Sequence, residues 1–164
     1  MNSARYFFLV SIIFFGVMVP GAVQAQEANL TGPVTEKQIL ENDRIYEIYI
    51  DRYTPDSVAI DYLMNIKEPV KLMVFLGSWC RESKKYMPRL MKTLRETDSE
   101  KIDVEYIGAD AQKKYPESFL NMHQIKYIPT VVVLKADKEI GRIVEEPQKP
   151  IELELMEILE GRKN

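Results

Sequence analysis

The chain has few of the side chains that bind metals, act as general bases or form structural disulfides. Its 164 residues include one cysteine, Cys80, and one histidine, His123. One cysteine cannot close an internal disulfide, and no cluster of Cys and His is present for zinc or haem. His123 is interpreted as a surface or packing residue, so a cysteine–histidine hydrolase is excluded. The sequence therefore predicts no metal site and no cofactor.

The chain also lacks an excess of positive charge and a phosphate-binding glycine loop. Its 22 basic and 25 acidic residues are interspersed and give a formal net charge of −3. Proteins that bind nucleic acid usually concentrate Lys and Arg in a patch or stripe. Without such a block, no nucleic-acid partner is expected.

The first 25 residues are typical of an export signal. Arg5 precedes an apolar run over residues 6–19, and small residues lie at positions 23 and 25. We expect cleavage after Ala25 and an exported, periplasmic protein. The apolar run is shorter than the roughly 20 residues that a membrane-spanning helix needs. Membrane association is expected only if the segment is retained as an anchor.

The remaining sequence predicts an N-terminal helical extension over residues 26–56 and one α/β domain over residues 57–164. Thr35 and Gln38 resemble a capping box at the start of the extension's helix. In the domain, apolar runs predict strands, and helical spacing of apolar residues predicts helices. The predicted strands lie near residues 70–77, 102–110 and 130–145 (two strands), and the helices near residues 57–66, 83–95, 116–124 and 151–161. This order indicates a mixed central sheet flanked by helices.

Cys80 lies where a predicted buried strand ends and a helix begins. The free N–H groups at a helix N-terminus favour a thiolate, which is the nucleophilic form of cysteine. Arg81, Lys84 and Lys85 add positive charge, which Glu82 partly offsets. The polar residues after Cys80 predict that it is exposed and reactive. The alternative is a buried cysteine that acts as a small apolar side chain.

Three separated stretches resemble the thioredoxin family. "GSWCRESKKYMP" (residues 77–88) is similar to the motif W-C-x-x-C-K-x-x-x-P, with Trp79, Cys80 and Pro88 at matching positions. "YIGAD" (residues 106–110) resembles the family's central strand, and "HQIKYIPT" (residues 123–130) resembles its cis-proline signature. The W-C-x-x-S form behind a helical extension most resembles exported thioredoxin-like proteins of Gram-negative bacteria.

The resemblance implies a thioredoxin-like fold and a set of site residues. Pro129 is expected to follow a cis peptide bond and to face Cys80. Ile128 is expected to pair its backbone with a bound substrate strand. Trp79 would offer an apolar surface to the partner, and Arg81 with Glu82 would form a charged rim in place of the family's usual Gly-Pro.

The chain departs from the family motif at three positions. Ser83 replaces the resolving cysteine, so Cys80 cannot form the family's reversible internal disulfide. Val74 stands where many members bury an acidic residue that assists that second cysteine. Glu146 stands where thioredoxins commonly have a glycine beside the substrate. Ser83 is instead expected to hydrogen-bond the Cys80 thiolate.

Two classes of function follow from these residues. The first is monothiol thiol–disulfide exchange, in which Cys80 forms mixed disulfides with protein or small-molecule thiols and so reduces or isomerises partner disulfides. The second is a redox-inert module that holds a peptide or an assembly partner in the same groove. A permanent link from Cys80 to one fixed partner is a third possibility.

Overall fold

The computed structural model describes residues 29–112, 114 and 116–162. The predicted export signal lies outside these residues. The described part of the chain contains six helices and five strands. The strands are β1 (Gly32–Val34), β2 (Val70–Leu76), β3 (Ile102–Gly108), β4 (Thr130–Lys135) and β5 (Lys138–Val144). The helices are α1 (Glu36–Asn42), α2 (Ile45–Arg52), α3 (Ser57–Met64), α4 (Arg81–Thr97), α5 (Glu117–Met122) and α6 (Ile151–Leu159).

The five strands form one mixed sheet in the order β1-β3-β2-β4-β5. β2 runs parallel to β3 and antiparallel to β4, and β5 continues antiparallel at the far edge. The mixed α/β architecture expected from the sequence is therefore confirmed. The central strand is β2, however, and β3, which contains most of the "YIGAD" stretch, lies one position from the edge.

Strand β1 is absent from the sequence prediction, which described residues 26–56 as a helical extension. It pairs antiparallel with the end of β3, placing Gly32 opposite Gly108. Gly108 is required there because a Cβ would collide with the backbone carbonyl of Leu30. β1 has three residues, two of which are glycine and proline, and so it shows no apolar alternation that would predict a strand. It can be identified only from its pairing with β3.

The single helix expected in the N-terminal extension is two helices. The predicted capping box is present, since the Gln38 N–H donates to Thr35 Oγ1 at 3.2 Å and the Thr35 N–H donates to Gln38 Oε1 at 2.8 Å. Asp43 ends α1 in an extended conformation and accepts a hydrogen bond from the Ile45 N–H at 2.9 Å. That local bond competes with helix continuation and separates α1 from α2.

The last two helices lie close to where the sequence predicted them. α5 begins at Glu117, one residue later than expected, and α6 begins at Ile151, with Pro116 and Pro150 as the N-cap residues. α5 is also shorter than expected and ends at Met122. No helix among the described residues has both the length and the apolar character to cross a bilayer.

The two faces of the sheet carry cores of very different size. Alternate residues of β2 point to opposite faces, with Val74 and Leu76 on one and Met73 and Phe75 on the other. We call the first the large face, because residues of α1, α2, α3, α4 and α6 pack there. We call the second the small face, where Leu120 of α5, Ile125, Ile128 and Cys80 pack.

A buried carboxylate ties the N-terminal extension to α6. Glu152 is 1% exposed, and it accepts hydrogen bonds from the Tyr53 hydroxyl at 2.8 Å and from the Asp56 N–H at 2.9 Å. Burial and the hydrogen bond to Glu152 raise the pKa of Tyr53 well above its usual value. Glu152 also lies in the first turn of α6, where the helix dipole favours negative charge.

Candidate functional site

Cys80 occupies the junction between β2 and α4. It is the N-cap residue of α4, with extended backbone angles and no side-chain cap hydrogen bond. Its N–H donates to the Gly77 carbonyl at 2.9 Å, and its own carbonyl accepts from the Lys84 N–H at 3.1 Å. The buried strand and the long helix thus fix the sulfur at the carboxyl end of the central strand.

The Cys80 sulfur is buried, contrary to the exposure that the sequence suggested. The residue is 5% exposed and belongs to the apolar cluster of the small face. Its thiol donates to the Ile128 carbonyl oxygen at 3.3 Å and lies 3.5 Å from Glu82 Oε2. The peptide bond between Ile128 and Pro129 is cis, as the resemblance implied. The polar residues that follow Cys80 in the sequence therefore did not predict its exposure correctly, because segments that are distant in the sequence cover the sulfur.

The positive charge expected around the sulfur is largely engaged elsewhere. Lys84 forms an ion pair with Asp43 at 2.8 Å, and Lys85 forms one with Glu146 at 3.3 Å. A negative charge, on Glu82, lies 3.5 Å from the sulfur and accepts a hydrogen bond from the thiol. The thiol therefore has two oxygen acceptors, Glu82 Oε2 and the Ile128 carbonyl.

Ser83 has a different role from the one expected. It is fully buried, and its Oγ accepts a hydrogen bond from the Gly77 N–H at 3.1 Å. This bond closes the loop between β2 and α4 from inside. Ser83 therefore stabilises the loop that carries Cys80.

Trp79 lies over the same loop. Its side chain is 38% exposed, and its Nε1–H donates to the Ala109 carbonyl at 2.8 Å. The indole ring packs so closely on Gly77 that a Cβ there would lie 2.7 Å from Trp79 Cε2. One hydrogen bond and one glycine thus hold an exposed aromatic face at the rim of the site.

Sequence reasoning missed Ser78. This buried residue accepts a hydrogen bond from the Leu30 N–H at 3.2 Å, which ties the segment before β1 to the loop before Cys80. No local pattern signals the contact, because the two residues are 48 positions apart in the chain.

A groove between α2 and α4 lies next to the sulfur and also escaped the sequence prediction. Arg81, Glu82, Arg89 and Glu146 are among its lining residues. Glu146 accepts a short hydrogen bond from the Tyr86 hydroxyl, and this bond and the Lys85 ion pair lower the pKa of Glu146 below its usual value. Residues 81, 85 and 89 share a helix face, which is the one local signal that could have identified the groove.

His123 behaves as a packing residue. It is half-buried at the end of α5, and its ring centroid lies 5.7 Å from that of Phe75. Among the residues that the structure describes, no three His, Cys, Asp or Glu side chains are grouped to hold a metal ion.

Comparison with known proteins identifies one family. A sequence profile described as thioredoxin matches residues 34–158, which is most of the chain. No curated protein matches the sequence significantly.

Solved structures show the same fold at low sequence identity. A Pseudomonas aeruginosa protein of unknown function, PA1234, is 19% identical with a TM-score of 0.56, covering 78% of this chain and 86% of its own. Thioredoxin-2, a component of the malaria parasite protein secretion machinery, is 20% identical with a TM-score of 0.45, covering 58% and 85%. The Drosophila germline-specific thioredoxin Deadhead is 18% identical with a TM-score of 0.44, covering 57% and 81%. The first of these supports the fold alone.

Proposed function

The chain belongs to the thioredoxin family, and we propose that it exchanges disulfides through the single thiol of Cys80. One observation carries the proposal. Cys80 is the only cysteine in the chain, and its sulfur lies at the N-terminus of a 17-residue helix. The sulfur is 3.3 Å from the carbonyl oxygen of Ile128, the residue before cis-Pro129. A helix N-terminus favours the thiolate, and an adjacent backbone edge can hold an extended substrate.

The reaction begins when the Cys80 thiolate attacks one sulfur of a partner disulfide. A new bond forms between Cys80 Sγ and that sulfur, the partner's S–S bond breaks, and its other sulfur leaves as a thiolate. A second thiolate then attacks the mixed disulfide and releases Cys80. Since Ser83 has no sulfur, that thiolate must come from the partner or from a small external thiol.

The other site residues would position the partner. The backbone of Ile128 and the ring of Pro129 would flank the substrate strand, and Ile128 is already within reach of the sulfur. The exposed face of Trp79 would cover the apolar part of the partner. Arg81 and Glu82, both exposed at the start of α4, would form the charged rim.

A redox-inert binding module is the second candidate, and the burial of the sulfur favours it. Cys80 is 5% exposed, its thiol is hydrogen-bonded to a backbone carbonyl, and the Glu82 carboxylate lies beside it. These contacts suit an unreactive thiol. In that case the groove beside Pro129 would hold a peptide without any covalent step.

The rate of Cys80 alkylation across pH separates the two candidates. Exchange requires alkylation near neutral pH at least as fast as that of a free cysteine, whereas a binding module predicts much slower labelling. Non-reducing electrophoresis of extracts then tests for mixed disulfides with partners. Cys80→Ser is the control, and exchange is ruled out if its adducts match those of the wild type. One persistent adduct of constant size would indicate a fixed partner.

We also propose that the protein acts after export, with its chain beginning at Gln26. N-terminal sequencing of protein from a periplasmic fraction measures this directly. Recovery of only full-length chain from membranes would support a retained anchor.

A further inference from the structure

We propose that the groove between α2 and α4, here called the arginine groove, binds a carboxylate-bearing segment of the protein whose disulfide Cys80 attacks. This inference deepens the proposed exchange function and rests on it. It would make the chain selective for disulfides that have acidic residues nearby.

The arginine groove has the size of a site for a few side chains. Its volume is about 460 Å³, within the roughly 300–1,000 Å³ of typical ligand sites. Both apolar or aromatic and charged side chains line it. Its lining includes Ile45, Tyr49, Arg81, Lys85, Arg89 and Glu146.

Arg89 is the residue that most favours a carboxylate ligand in this groove. Its guanidinium carbon lies 5.3 Å from the ring centroids of both Tyr53 and Tyr86, so two aromatic rings hold it in place. The side chain is half-buried, and among the described residues the guanidinium makes no hydrogen bond or ion pair. The Glu146 carboxylate interacts with it only at longer range. By contrast, the half-buried Arg142 donates to Glu139 at 2.6 Å and to a backbone carbonyl at 3.1 Å. An arginine held in this way keeps its forked donors available for a carboxylate.

Arg81 extends the same site towards the sulfur. Residues 81 and 89 are eight positions apart on α4, which is about 12 Å along a helix at 1.5 Å per residue. Arg81 is exposed and likewise has no ion-pair partner within the described ranges. Glu82 both lines the groove and lies 3.5 Å from Cys80 Sγ. A segment bound here would therefore lie beside a disulfide at Cys80.

The charge of the groove is local and opposes that of the whole chain. Lys84 pairs with Asp43 and Lys85 with Glu146. The remaining charged groups of the lining are the two arginines and Glu82, so the groove keeps a net positive charge of one. The chain as a whole carries a formal charge of −3. Long-range electrostatics would thus repel an acidic partner, and any preference for one must arise from a local contact.

Exchange rates with short peptides test the proposal. Each peptide carries one cysteine as its 2-pyridyl disulfide, so attack by Cys80 releases a neutral chromophore as the peptide–Cys80 bond forms. The flanking residues are acidic in one peptide and are the matching glutamines in the other. We expect roughly tenfold faster exchange with the acidic peptide at low salt, and less difference at high salt.

Matched variants locate the preference. Arg81→Gln and Arg89→Gln should each remove most of the acidic preference, and Arg89→Lys should restore only part because it lacks the planar fork. Arg52→Gln is the control, since it removes the same charge from an exposed residue that does not line the groove. If Arg52→Gln has the same effect as Arg81→Gln, or if acidic and glutamine peptides react equally, the proposal is overturned.

A second measurement separates failure of the groove from failure of the exchange. The small neutral reagent 2,2′-dipyridyl disulfide measures how fast the Cys80 thiol of each protein reacts without a peptide, and it should react at the same rate with the wild type and with Arg52→Gln. The acidic preference of each variant is the ratio of its rates with the two peptides, so a change in thiol reactivity alone does not alter it. If Cys80 does not react with this reagent, the exchange function fails. The groove is then tested alone, by fluorescence anisotropy of a labelled acidic peptide with serine for cysteine on Cys80→Ser protein. Absence of arginine-dependent binding there rejects the groove as well.

Discussion

The large and small faces of the sheet differ in how many helices cover them and in which of them contains Cys80. Five helices cover the large face, and many of its side chains are fully buried. One six-residue helix, α5, and the segments that follow it cover the small face, where Cys80 lies. The thick cover supplies most of the apolar burial that holds the sheet together. In the proposed exchange reaction, a partner would have to reach the sulfur through the thin cover.

The same contrast holds for carboxylates. Glu152 is buried on the large-face side, and hydroxyl and backbone donors satisfy it. Glu82 is exposed on the other side and lies against the Cys80 sulfur. One carboxylate connects parts of the fold, and the other sets the charge around a thiol. Four predictions test this comparison.

The largest effect is expected from Ser83→Cys, which supplies a resolving thiol one helical turn from Cys80. The variant should form an internal disulfide and gain dithiol turnover in an insulin-reduction assay, by roughly tenfold or more over wild type. Val74 leaves no buried proton acceptor, so the activity should remain below that of a typical dithiol enzyme. Adding Cys80→Ser should abolish it. Wild-type turnover equal to that of the variant would contradict the monothiol mechanism.

Leucine truncation on the two faces should have unequal costs. Leu90 is fully buried on the large face, and Leu90→Ala should lower the free energy of unfolding by about 4 kcal/mol. Leu120 is 4% exposed on α5, and Leu120→Ala should cost about 2 kcal/mol because this edge of the small face can collapse. Urea unfolding measures both. Equal losses would show that the small face is as tightly packed as the large one.

Glu152→Gln should lower the free energy of unfolding by about 1–2 kcal/mol, because two donors lose a charged acceptor. The pKa of Tyr53 should fall towards its usual value, although burial still raises it. A raised tyrosine pKa stabilises the fold fully below about pH 10 and is lost as pH rises further, so this alkaline dependence should weaken. Ultraviolet titration of tyrosinate follows it. Glu145→Gln, at an exposed position, should change neither quantity.

The smallest effect is expected from Glu82→Gln, which removes the negative charge 3.5 Å from the sulfur. Alkylation of Cys80 at neutral pH should become about two- to threefold faster, since the thiolate is no longer repelled. The unfolding midpoint should stay unchanged. Glu117→Gln, at an exposed residue of α5, is the matched control. No change in alkylation rate would mean that Glu82 does not act on the thiol.

Strong local patterns gave most of the fold. The buried strand β2 appears in the sequence as an unbroken apolar run, and α4 as apolar residues at helical spacing. Residues 77–88 placed Cys80 at the junction of the two, and the structure agrees. β1 and the break between α1 and α2 were missed, because each depends on a pairing partner or one competing hydrogen bond.

The sequence by itself determined the order of strands and helices in residues 57–164, the position of one cysteine at a helix N-terminus and the absence of a resolving thiol. Only the tertiary structure decided that Cys80 is buried, that Ser83 bonds the Gly77 N–H and that Lys84 and Lys85 are paired. The physical reason is the separation along the chain of the residues that interact. Periodicity and capping act between residues a few positions apart, whereas burial and charge pairing depend on segments that fold together from distant parts of the chain.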